Sequence, residues 1–262
     1  MDKALCRPAT IADMADALVA AYTGGPIPPI DHGGRDLDPV TAHAVRAATV
    51  EHWTRAGRRI AGRKIGLTSA ALRIRLGAPE PTDGFLFADT ETPNEGIIEF
   101  AGLFQPLVEV EIALILDRTV TQLPDNPAAL RSAIRGIATA IEIVDSRIQD
   151  WRINYADAIA DNGSAAGFVI SGETKLSEDH DDFAWDLIVD GKNRNMSSGT
   201  AHLDVVLKDF HWLAGKAISI GAPLQEGEII LSGSLGGAVP VSLGDVVTGR
   251  IAGLGQCTVL FR

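Results

Sequence analysis

Residues 108–116, Val-Glu-Val-Glu-Ile-Ala-Leu-Ile-Leu, carry the pattern on which the interpretation of the whole chain rests. In a β-strand the apolar side chains at alternate positions fall on one face, and Glu109 and Glu111 fall on the other. The Cα atoms of the two glutamates then lie about 7 Å apart. Such an apolar segment is not typical of a solvated edge, so two like charges on one face need a partner. A hard divalent cation is one explanation, because Mg²⁺ and Mn²⁺ prefer oxygen ligands. An exposed acidic strand face is the other.

A third carboxylate, Glu142, lies in a stretch that is otherwise apolar from Ile137 to Val144. A glutamate in such surroundings is seldom left without a partner. It can join Glu109 and Glu111 around a cation, or it can pair with an arginine such as Arg147. The residues alone leave both interpretations open.

Two further segments carry polar groups suited to chemistry. Lys64 stands beside apolar residues and a glycine, and it can act as a proton carrier with a lowered pKa, as an anchor for a substrate carboxylate, or as an ordinary surface lysine. The turn Asp161-Asn-Gly-Ser164 offers hydroxyl and amide donors to a ligand, or serves only as a tight turn.

Composition narrows the function classes. The chain has 262 residues, with 34 acidic and 23 basic side chains, and a net charge of −11. So acidic a chain is a poor candidate for binding nucleic acid or an anionic membrane. Two cysteines, no apolar run of spanning length and no signal-like start predict a cytoplasmic protein. Neither a nucleotide-binding glycine motif nor a G-x-S-x-G elbow is present.

The pattern near the start predicts two helices joined by a glycine- and proline-rich loop at 23–38. Thr10 caps the first helix, to residue 22, and Asp38 and Pro39 start the second, to about Gly57. We therefore predict a small helical lid subdomain at 1–57 over the rest of the chain, 58–262.

The remainder alternates short strands with turns. A helix is predicted to start at Asn126-Pro127 and to carry Leu130, Ile134 and Ile137 on one face, and another is predicted over 204–221. A hairpin with an Asp190-Gly191 turn is also expected. The fold class is α+β: a mixed, highly bent, barrel-like β core with flanking helices.

Four ordered segments then carry a family resemblance: Lys64-Ile-Gly-Leu-Thr-Ser69, Val108-Glu-Val-Glu-Ile-Ala113, Glu142–Arg147 followed by Asp150-Trp151, and Ala160-Asp-Asn-Gly-Ser164. With the run from Ile230 to Val241, the chain resembles the 2-hydroxypenta-2,4-dienoate (2-keto-4-pentenoate) hydratases. It is also similar to their relatives, the 4-oxalocrotonate decarboxylases, within the fumarylacetoacetate hydrolase superfamily.

The resemblance implies that residues 58–262 form a catalytic domain with the superfamily's barrel-like fold. It also implies a Mg²⁺ or Mn²⁺ ion held by Glu109, Glu111 and Glu142. It implies a homo-oligomer that hydrates a 2-hydroxy-2,4-dienoate in aromatic-compound catabolism. Association with a neighbouring enzyme of the pathway is a further expectation. The alternatives are a decarboxylase or C–C hydrolase of the same superfamily, or a catalytically silent assembly partner.

Residue roles follow from the same resemblance. Lys64 and Asp83 are the expected catalytic residues, although the acid at 83 falls one place later than in the family pattern. The expected substrate-binding residues are Ser164, Leu86, Gln105 and His43. His43 and Arg46 depart from the family's second helix, and both can bind a second substrate carboxylate.

Overall fold

The computed structural model describes residues 9–30, 37–178, 180–189 and 195–262. These residues form five α-helices around two β-sheets. The helices are α1 (Ile11–Gly24), α2 (Pro39–Arg55), α3 (Ala70–Leu76), α4 (Tyr155–Ala160) and α5 (Leu203–Ser219). None of the helices in the described ranges is long and apolar enough to cross a membrane.

The strands are short, apart from a long central pair. They are β1 (Ile60–Gly66), β2 (Thr82–Phe87), β3 (Gly96–Ile98), β4 (Leu107–Leu116), β5 (Ile134–Val144), β6 (Ala165–Ile170), β7 (Thr174–Lys175), β8 (Asp182–Val189), β9 (Asn195–His202), β10 (Ile229–Leu231), β11 (Val239–Pro240), β12 (Val246–Ile251) and β13 (Gly255–Phe261).

The first sheet, here called the site sheet, has the order β2-β1-β10-β4-β5-β6, with β11 paired to β4 and β7 paired to β5. The second sheet has the order β3-β13-β12-β8-β9. Pairing is antiparallel except for β1 with β10 and β13 with β3. The site sheet curls into a half-barrel, so the predicted mixed and strongly bent β core is confirmed.

The main hydrophobic core lies between the two sheets and beneath α5. Alternate residues of β4, among them Val108, Val110 and Ile112, are fully buried in it. Phe183 and Val259 face them from the second sheet, and Phe210 closes the layer from α5. Burial of this face fixes the register of β4, because a slip by one residue would move the valines out and the glutamates in.

The opposite face of the site sheet has a smaller apolar cluster. Ala113 of β4 is paired with Leu231 of β10, and Phe168 of β6 joins them in the cluster. All three side chains are fully buried. This cluster forms the floor beneath the carboxylates of β4 and β5.

The two N-terminal helices form as the sequence predicts. The Thr10 hydroxyl accepts a bond from the Asp13 amide at 3.1 Å, and Asp13 accepts one from the Thr10 amide at 2.8 Å. Asp38 accepts bonds from the first amides of α2. Both helices pack against α4 through a shared apolar cluster. The tip of the predicted lid loop, residues 31–36, lies outside the described residues, as does the Asp190-Gly191 turn.

The helix predicted from Asn126 is wrong. Residues 127–133 form a 3-10 turn, and Ile134 begins the eleven-residue strand β5. Leu130, Ile134 and Ile137 are all buried in the core, but Leu130 lies in the 3-10 turn and the two isoleucines lie in β5. The β-branched residues from Ile134 onward favour an extended chain. This preference outweighs the helical spacing of Leu130, Ile134 and Ile137.

A buried ion pair anchors the loop that follows α4. Arg147 Nε donates to Asp161 Oδ1 at 2.7 Å, and both side chains are almost fully buried. Asp161 Oδ2 also accepts bonds from the Ser146 and Ser164 hydroxyls, at 3.0 and 3.1 Å. The guanidinium lies 4.3 Å from the centre of the Tyr22 ring. The pair therefore joins α1, the end of β5 and the Asp161–Ser164 turn.

Removing the arginine should leave a buried, uncompensated carboxylate. We expect Arg147→Leu to lower the free energy of unfolding by about 3–5 kcal/mol, measured by urea denaturation followed by tryptophan fluorescence. The control is Arg135→Leu, which breaks the exposed pair with Glu173 and should cost about 0–1 kcal/mol. Equal losses in the two variants would contradict this account.

Candidate metal centre and active site

Strand register brings the three glutamates together. Glu109 of β4 lies directly opposite Glu142 of β5, and Glu111 follows two residues along the same face of β4. One carboxylate oxygen from each lies within 4.8 Å of the others. Glu111 and Glu142 are fully buried, while Glu109 is half-buried. The three carboxylates thus form one compact cluster on the site sheet.

Lys64 reaches the same cluster from β1. Its Nζ lies 3.0 Å from Glu142 Oε1, with both side chains buried. Arg147, which the sequence suggested as an alternative partner for Glu142, forms an ion pair with Asp161 instead. The structure therefore pairs Glu142 with Lys64.

Burial and crowding disfavour the negative charge of the cluster. Burial, followed by repulsion from Glu142, raises the pKa of Glu109 to about 7. The same two causes raise the pKa of Glu111 well above its ordinary value, and burial raises that of Glu142. One ammonium cannot balance three carboxylates, whereas Lys64 and a divalent cation together would.

The pKa of Lys64 moves upward, not downward. Burial alone would lower this pKa, but attraction by Glu142, Glu109 and Glu111 outweighs burial and raises it. The charged, proton-donating form of Lys64 is therefore favoured, and this shift is opposite to the lowered pKa considered from the sequence.

The unused oxygens of the cluster fit a cation. Glu111 Oε2 accepts a bond from the Gly233 amide at 2.8 Å, but Glu111 Oε1 has no hydrogen-bond donor among the described residues. Glu142 Oε1 lies 3.0 Å from Lys64 Nζ in an ion pair, and neither oxygen of Glu142 has a further hydrogen-bond donor among the described residues. Buried oxygens rarely stay without partners, and oxygen-only donors suit Mg²⁺ or Mn²⁺.

A cavity of about 560 Å³ opens above the cluster. Glu109 and Lys64 lie in its wall, and most of the remaining wall is apolar. The other lining residues are Gly66, Leu67, Leu72, Arg75, Leu76, Thr82, Leu107, Val144, Trp151, Ile153, Ala158, Gly163, Ser164 and Ala238. Volume and lining are those of a small-molecule site.

The turn predicted to contact a ligand does line the cavity. Ser164 faces it, and its hydroxyl donates to Asp161 at 3.1 Å. Asn162 fastens the turn to β2 through two bonds with the backbone of Phe85, at 2.8 and 3.0 Å. The approach is so close that a Cβ at Gly84 would lie 2.3 Å from the Asn162 carbonyl oxygen. Only glycine at position 84 lets the turn and Lys64 share this space.

Asp83 is placed away from the cavity. Its neighbour Gly84 pairs with Lys64, so Asp83 points to the opposite face of the site sheet. There its carboxylate accepts a bond from Arg46 at 2.8 Å, and both groups are buried. The geometry thus gives no support to the predicted catalytic role, and we interpret Asp83 as the residue that holds α2 against β2.

His43 and Arg46 also lie outside the cavity lining. Arg46 is engaged by Asp83, and its second nitrogen lies 3.2 Å from His43 Nδ1. A guanidinium already paired in the interior is not free for a second substrate carboxylate. The geometry therefore gives no support to a site for a second substrate carboxylate at these two residues.

Leu86 and Gln105 support the site from behind. Leu86 is buried in the floor cluster. The Gln105 side chain donates to the carbonyls of Ser146 and Ile148, at 3.0 and 2.6 Å, and accepts a bond from the Trp151 amide at 3.2 Å. Neither residue is among the described residues that line the cavity.

Several residues that line the cavity were not predicted from the sequence. Trp151 is part of the Asp150-Trp151 pair that contributes to the family resemblance, but the sequence predicted no function for it. Leu72, Arg75 and Leu76 recur at the i, i+3, i+4 spacing that puts side chains on one face of a helix. That spacing was a usable signal, but nothing in it indicates that α3 faces the carboxylates.

A family model, Fumarylacetoacetate (FAA) hydrolase C-terminal, matches residues 88–261. Among curated proteins, 2-keto-4-pentenoate hydratase 2 of Dechloromonas aromatica (strain RCB) is 39% identical over 253 residues, covering 95% of this chain and 97% of the relative. The 2-hydroxyhexa-2,4-dienoate hydratase of Comamonas testosteroni is 34% identical, covering 78% of this chain and 79% of the relative.

A solved structure, 4-oxalocrotonate decarboxylase from Pseudomonas putida G7 complexed with magnesium and adipate, has a similar fold. Its TM-score is 0.86 at 23% identity, over 96% of this chain and 97% of that one. Fumarylpyruvate hydrolase from Pseudomonas aeruginosa, complexed with Mn²⁺ and pyruvate, gives a TM-score of 0.56 at 18% identity, over 78% of this chain and 88% of that one. At these identities the likeness shows the fold.

Metal loading should stabilise the protein through the three glutamates. Mn²⁺ at about 100 times its dissociation constant should raise the free energy of unfolding by about 2.7 kcal/mol, and a chelator should reverse the gain. We expect Glu111→Gln, which is isosteric, to lose most of this gain in thermal unfolding.

The control for the metal experiment is Glu173→Gln, which changes an exposed carboxylate outside the cluster. This variant should keep the full stabilisation by Mn²⁺. An unchanged gain in Glu111→Gln would place the metal elsewhere.

His43 should make stability depend on pH. Burial, aided by Arg46, lowers the pKa of His43 to about 4, against about 6.5 in an unfolded chain. The unfolded state therefore binds more protons between these values, and the free energy of unfolding falls as pH drops from about 6.5 to about 4. In His43→Gln this component should be missing from urea titrations across the same range. Parallel curves for the two proteins would refute the assignment.

Proposed function

This chain belongs to the fumarylacetoacetate hydrolase family, and from that premise we propose that it is a metal-dependent hydratase that adds water to a 2-hydroxy-2,4-dienoate. The observation that carries the proposal is the cluster of Glu109, Glu111 and Glu142 with Lys64 at the base of an apolar cavity. Two curated relatives, at 39% and 34% identity, are named 2-keto-4-pentenoate hydratase 2 and 2-hydroxyhexa-2,4-dienoate hydratase.

We assign Mg²⁺ or Mn²⁺ to the three glutamates. Both ions occur in solved structures of similar fold, and the oxygen donors with free lone pairs support the choice. When bound, the ion would act as a Lewis acid toward the substrate's carboxylate and neighbouring 2-oxygen, stabilising negative charge on that oxygen. It would also offset the repulsion between an acidic protein and an anionic substrate.

The proposed hydration proceeds in two steps, a tautomerisation and an addition of water. In the first, the 2-hydroxyl of the dienol loses its proton and C5 gains one, which gives the 2-oxo-3-enoate. In the second, water adds across the C3–C4 double bond: its oxygen bonds to C4 and a proton is delivered to C3. The product is a 4-hydroxy-2-oxo acid. No oxidant or reductant is consumed.

The chain's own groups supply proton transfer and water exclusion. Lys64 is a buried ammonium in the cavity wall, placed to give a proton to the substrate carbon skeleton and to take one back. Ser164 offers a hydroxyl on the same wall, oriented by Asp161. The apolar wall keeps bulk water from the conjugated part of the substrate.

A decarboxylase is the second candidate. Its support is the fold of 4-oxalocrotonate decarboxylase, at 23% identity, and the same metal and enolate would serve it. The residues expected to bind its second carboxylate, His43 and Arg46, do not line the cavity, and Arg46 is paired with Asp83. Sequence identity and this pairing both favour the hydratase.

The purified protein with Mg²⁺ or Mn²⁺ should consume 2-hydroxypenta-2,4-dienoate, seen as loss of dienol absorbance, and should form 4-hydroxy-2-oxopentanoate without CO₂. We expect Lys64→Met to lower kcat by a factor of about 10²–10⁴, the usual contribution of a positioned proton carrier. The control is Lys208→Met, which removes an exposed lysine of α5 and should retain activity. Absorbance loss no faster than without enzyme would contradict the proposal, and CO₂ release from an oxo-diacid would favour the decarboxylase.

A further inference from the structure

The cavity is larger than a five-carbon substrate requires. 2-Hydroxypenta-2,4-dienoate has about eight non-hydrogen atoms, and at roughly 30 Å³ each, the share of a water molecule in the liquid, they occupy at most about 240 Å³. The cavity holds about 560 Å³. Much of the space above the carboxylates is therefore left for another part of a ligand.

Strand register shows how polarity changes along the cavity. Glu109 and Glu142 form one cross-strand pair, and the next pair on the same face is Leu107 with Val144. Both of these apolar residues line the cavity. The wall thus changes from charged to apolar within a single step along β4 and β5.

Further apolar side chains continue this wall. Trp151 and Ile153 follow the end of β5, and Leu72 and Leu76 face the cavity from α3. We call the six residues Leu72, Leu76, Leu107, Val144, Trp151 and Ile153 the tail subsite.

The backbone that presents Trp151 is strained. Asp150 and Trp151 have φ values of 59° and 51°, in the left-handed region that side-chain-bearing residues rarely occupy. The cavity residues Leu67 and Ser164, both with φ of 57°, share this strain. Strained residues persist only where the surroundings hold them, and they concentrate at binding sites.

Gln105 provides the restraint on Trp151. The indole Nε1 donates to the Gln105 carbonyl at 3.0 Å, and the Gln105 side-chain oxygen accepts from the Trp151 amide at 3.2 Å. Gln105 thus acts as a positioning residue, and the ring is held as a fixed wall.

We propose that the tail subsite selects 2-hydroxy-2,4-dienoates that carry an apolar substituent at C5, with Trp151 as its principal wall. The inference rests on the proposed function for the position of the substrate carboxylate at the metal. One cation, Arg75, shares the cavity-facing side of α3 and is exposed to solvent. A carboxylated tail is therefore the competing possibility, but six apolar side chains outweigh one arginine at the rim.

The kinetic test compares 2-hydroxypenta-2,4-dienoate with 2-hydroxyocta-2,4-dienoate, which adds three carbons at C5. The holoenzyme should show a kcat/KM at least about tenfold higher for the longer substrate, since each buried methylene favours binding. This ratio should fall toward one in Trp151→Ala and be largely kept in Trp151→Phe, which retains an apolar ring. Gln105→Ala should lower the ratio as well, through a higher KM for the longer substrate.

A binding measurement separates this inference from the proposed function. With Mn²⁺ bound, 2-oxooctanoate should bind at least about tenfold more tightly than pyruvate, and Trp151→Ala should remove the difference. If neither dienoate is hydrated but this preference holds, the hydratase proposal fails and the tail subsite stands.

Two results would overturn the tail subsite. One is hydration of the five-carbon substrate with no preference for the longer substrate or the longer acid. The other is a preference for 2-oxooctanedioate over 2-oxooctanoate that disappears in Arg75→Ala.

Discussion

The structure depends on the placement of three carboxylates and one ammonium in the interior of a curled sheet. Glu109, Glu111 and Glu142 share one face of β4 and β5, above an apolar floor that excludes water. Lys64 alone does not neutralise them. Burial raises the pKa of all three glutamates, and repulsion from Glu142 adds to this at Glu109 and Glu111. A fold that keeps such a cluster bears a cost in stability, because unpaired buried charge is expensive. A divalent cation removes the cost and turns the cluster into a site for an oxygen-rich anion.

Contacts from the surrounding elements hold the cluster and the cavity wall in place. Gly84 lets the Asp161–Ser164 turn approach β2, and the buried Arg147–Asp161 pair holds that turn in place. The Gly233 amide fixes Glu111 from the loop after β10. Arg46 and Asp83 join α2 to the reverse side of β2. Each contact comes from a distant part of the chain, so the cluster is assembled only when the whole sheet has folded.

Much of this was predictable from local pattern. The alternation in β4 predicted both the core face and the two glutamates, and the capping residues Thr10 and Asp38 predicted the starts of two helices. The apolar surroundings of Glu142 indicated a buried carboxylate, but its partner depended on strand pairing that local pattern does not encode. For the same reason the sequence placed Asp83 wrongly at the cavity, because the register of β2 against β1 decides on which face of the sheet it lies. The position of α3 in the cavity wall also depends on tertiary structure and was not predicted. Ile134 and Ile137 had a spacing compatible with a helix, and the β-branched residues of β5 together with its long pairing with β4 decide for a strand. The division at residue 57 and the homo-oligomer stay predictions, since neither follows from contacts within one chain.

The central claim is that the three glutamates hold a divalent metal that binds the carboxylate end of the substrate. A crystal structure of the protein with Mn²⁺ and oxalate, using anomalous scattering at the manganese edge, tests it most directly. The account predicts one manganese peak bounded by the carboxylates of Glu109, Glu111 and Glu142, with oxalate on its cavity side and Lys64 beside it. A peak elsewhere, with Glu142 still paired only to Lys64 and oxalate away from the cluster, would contradict it.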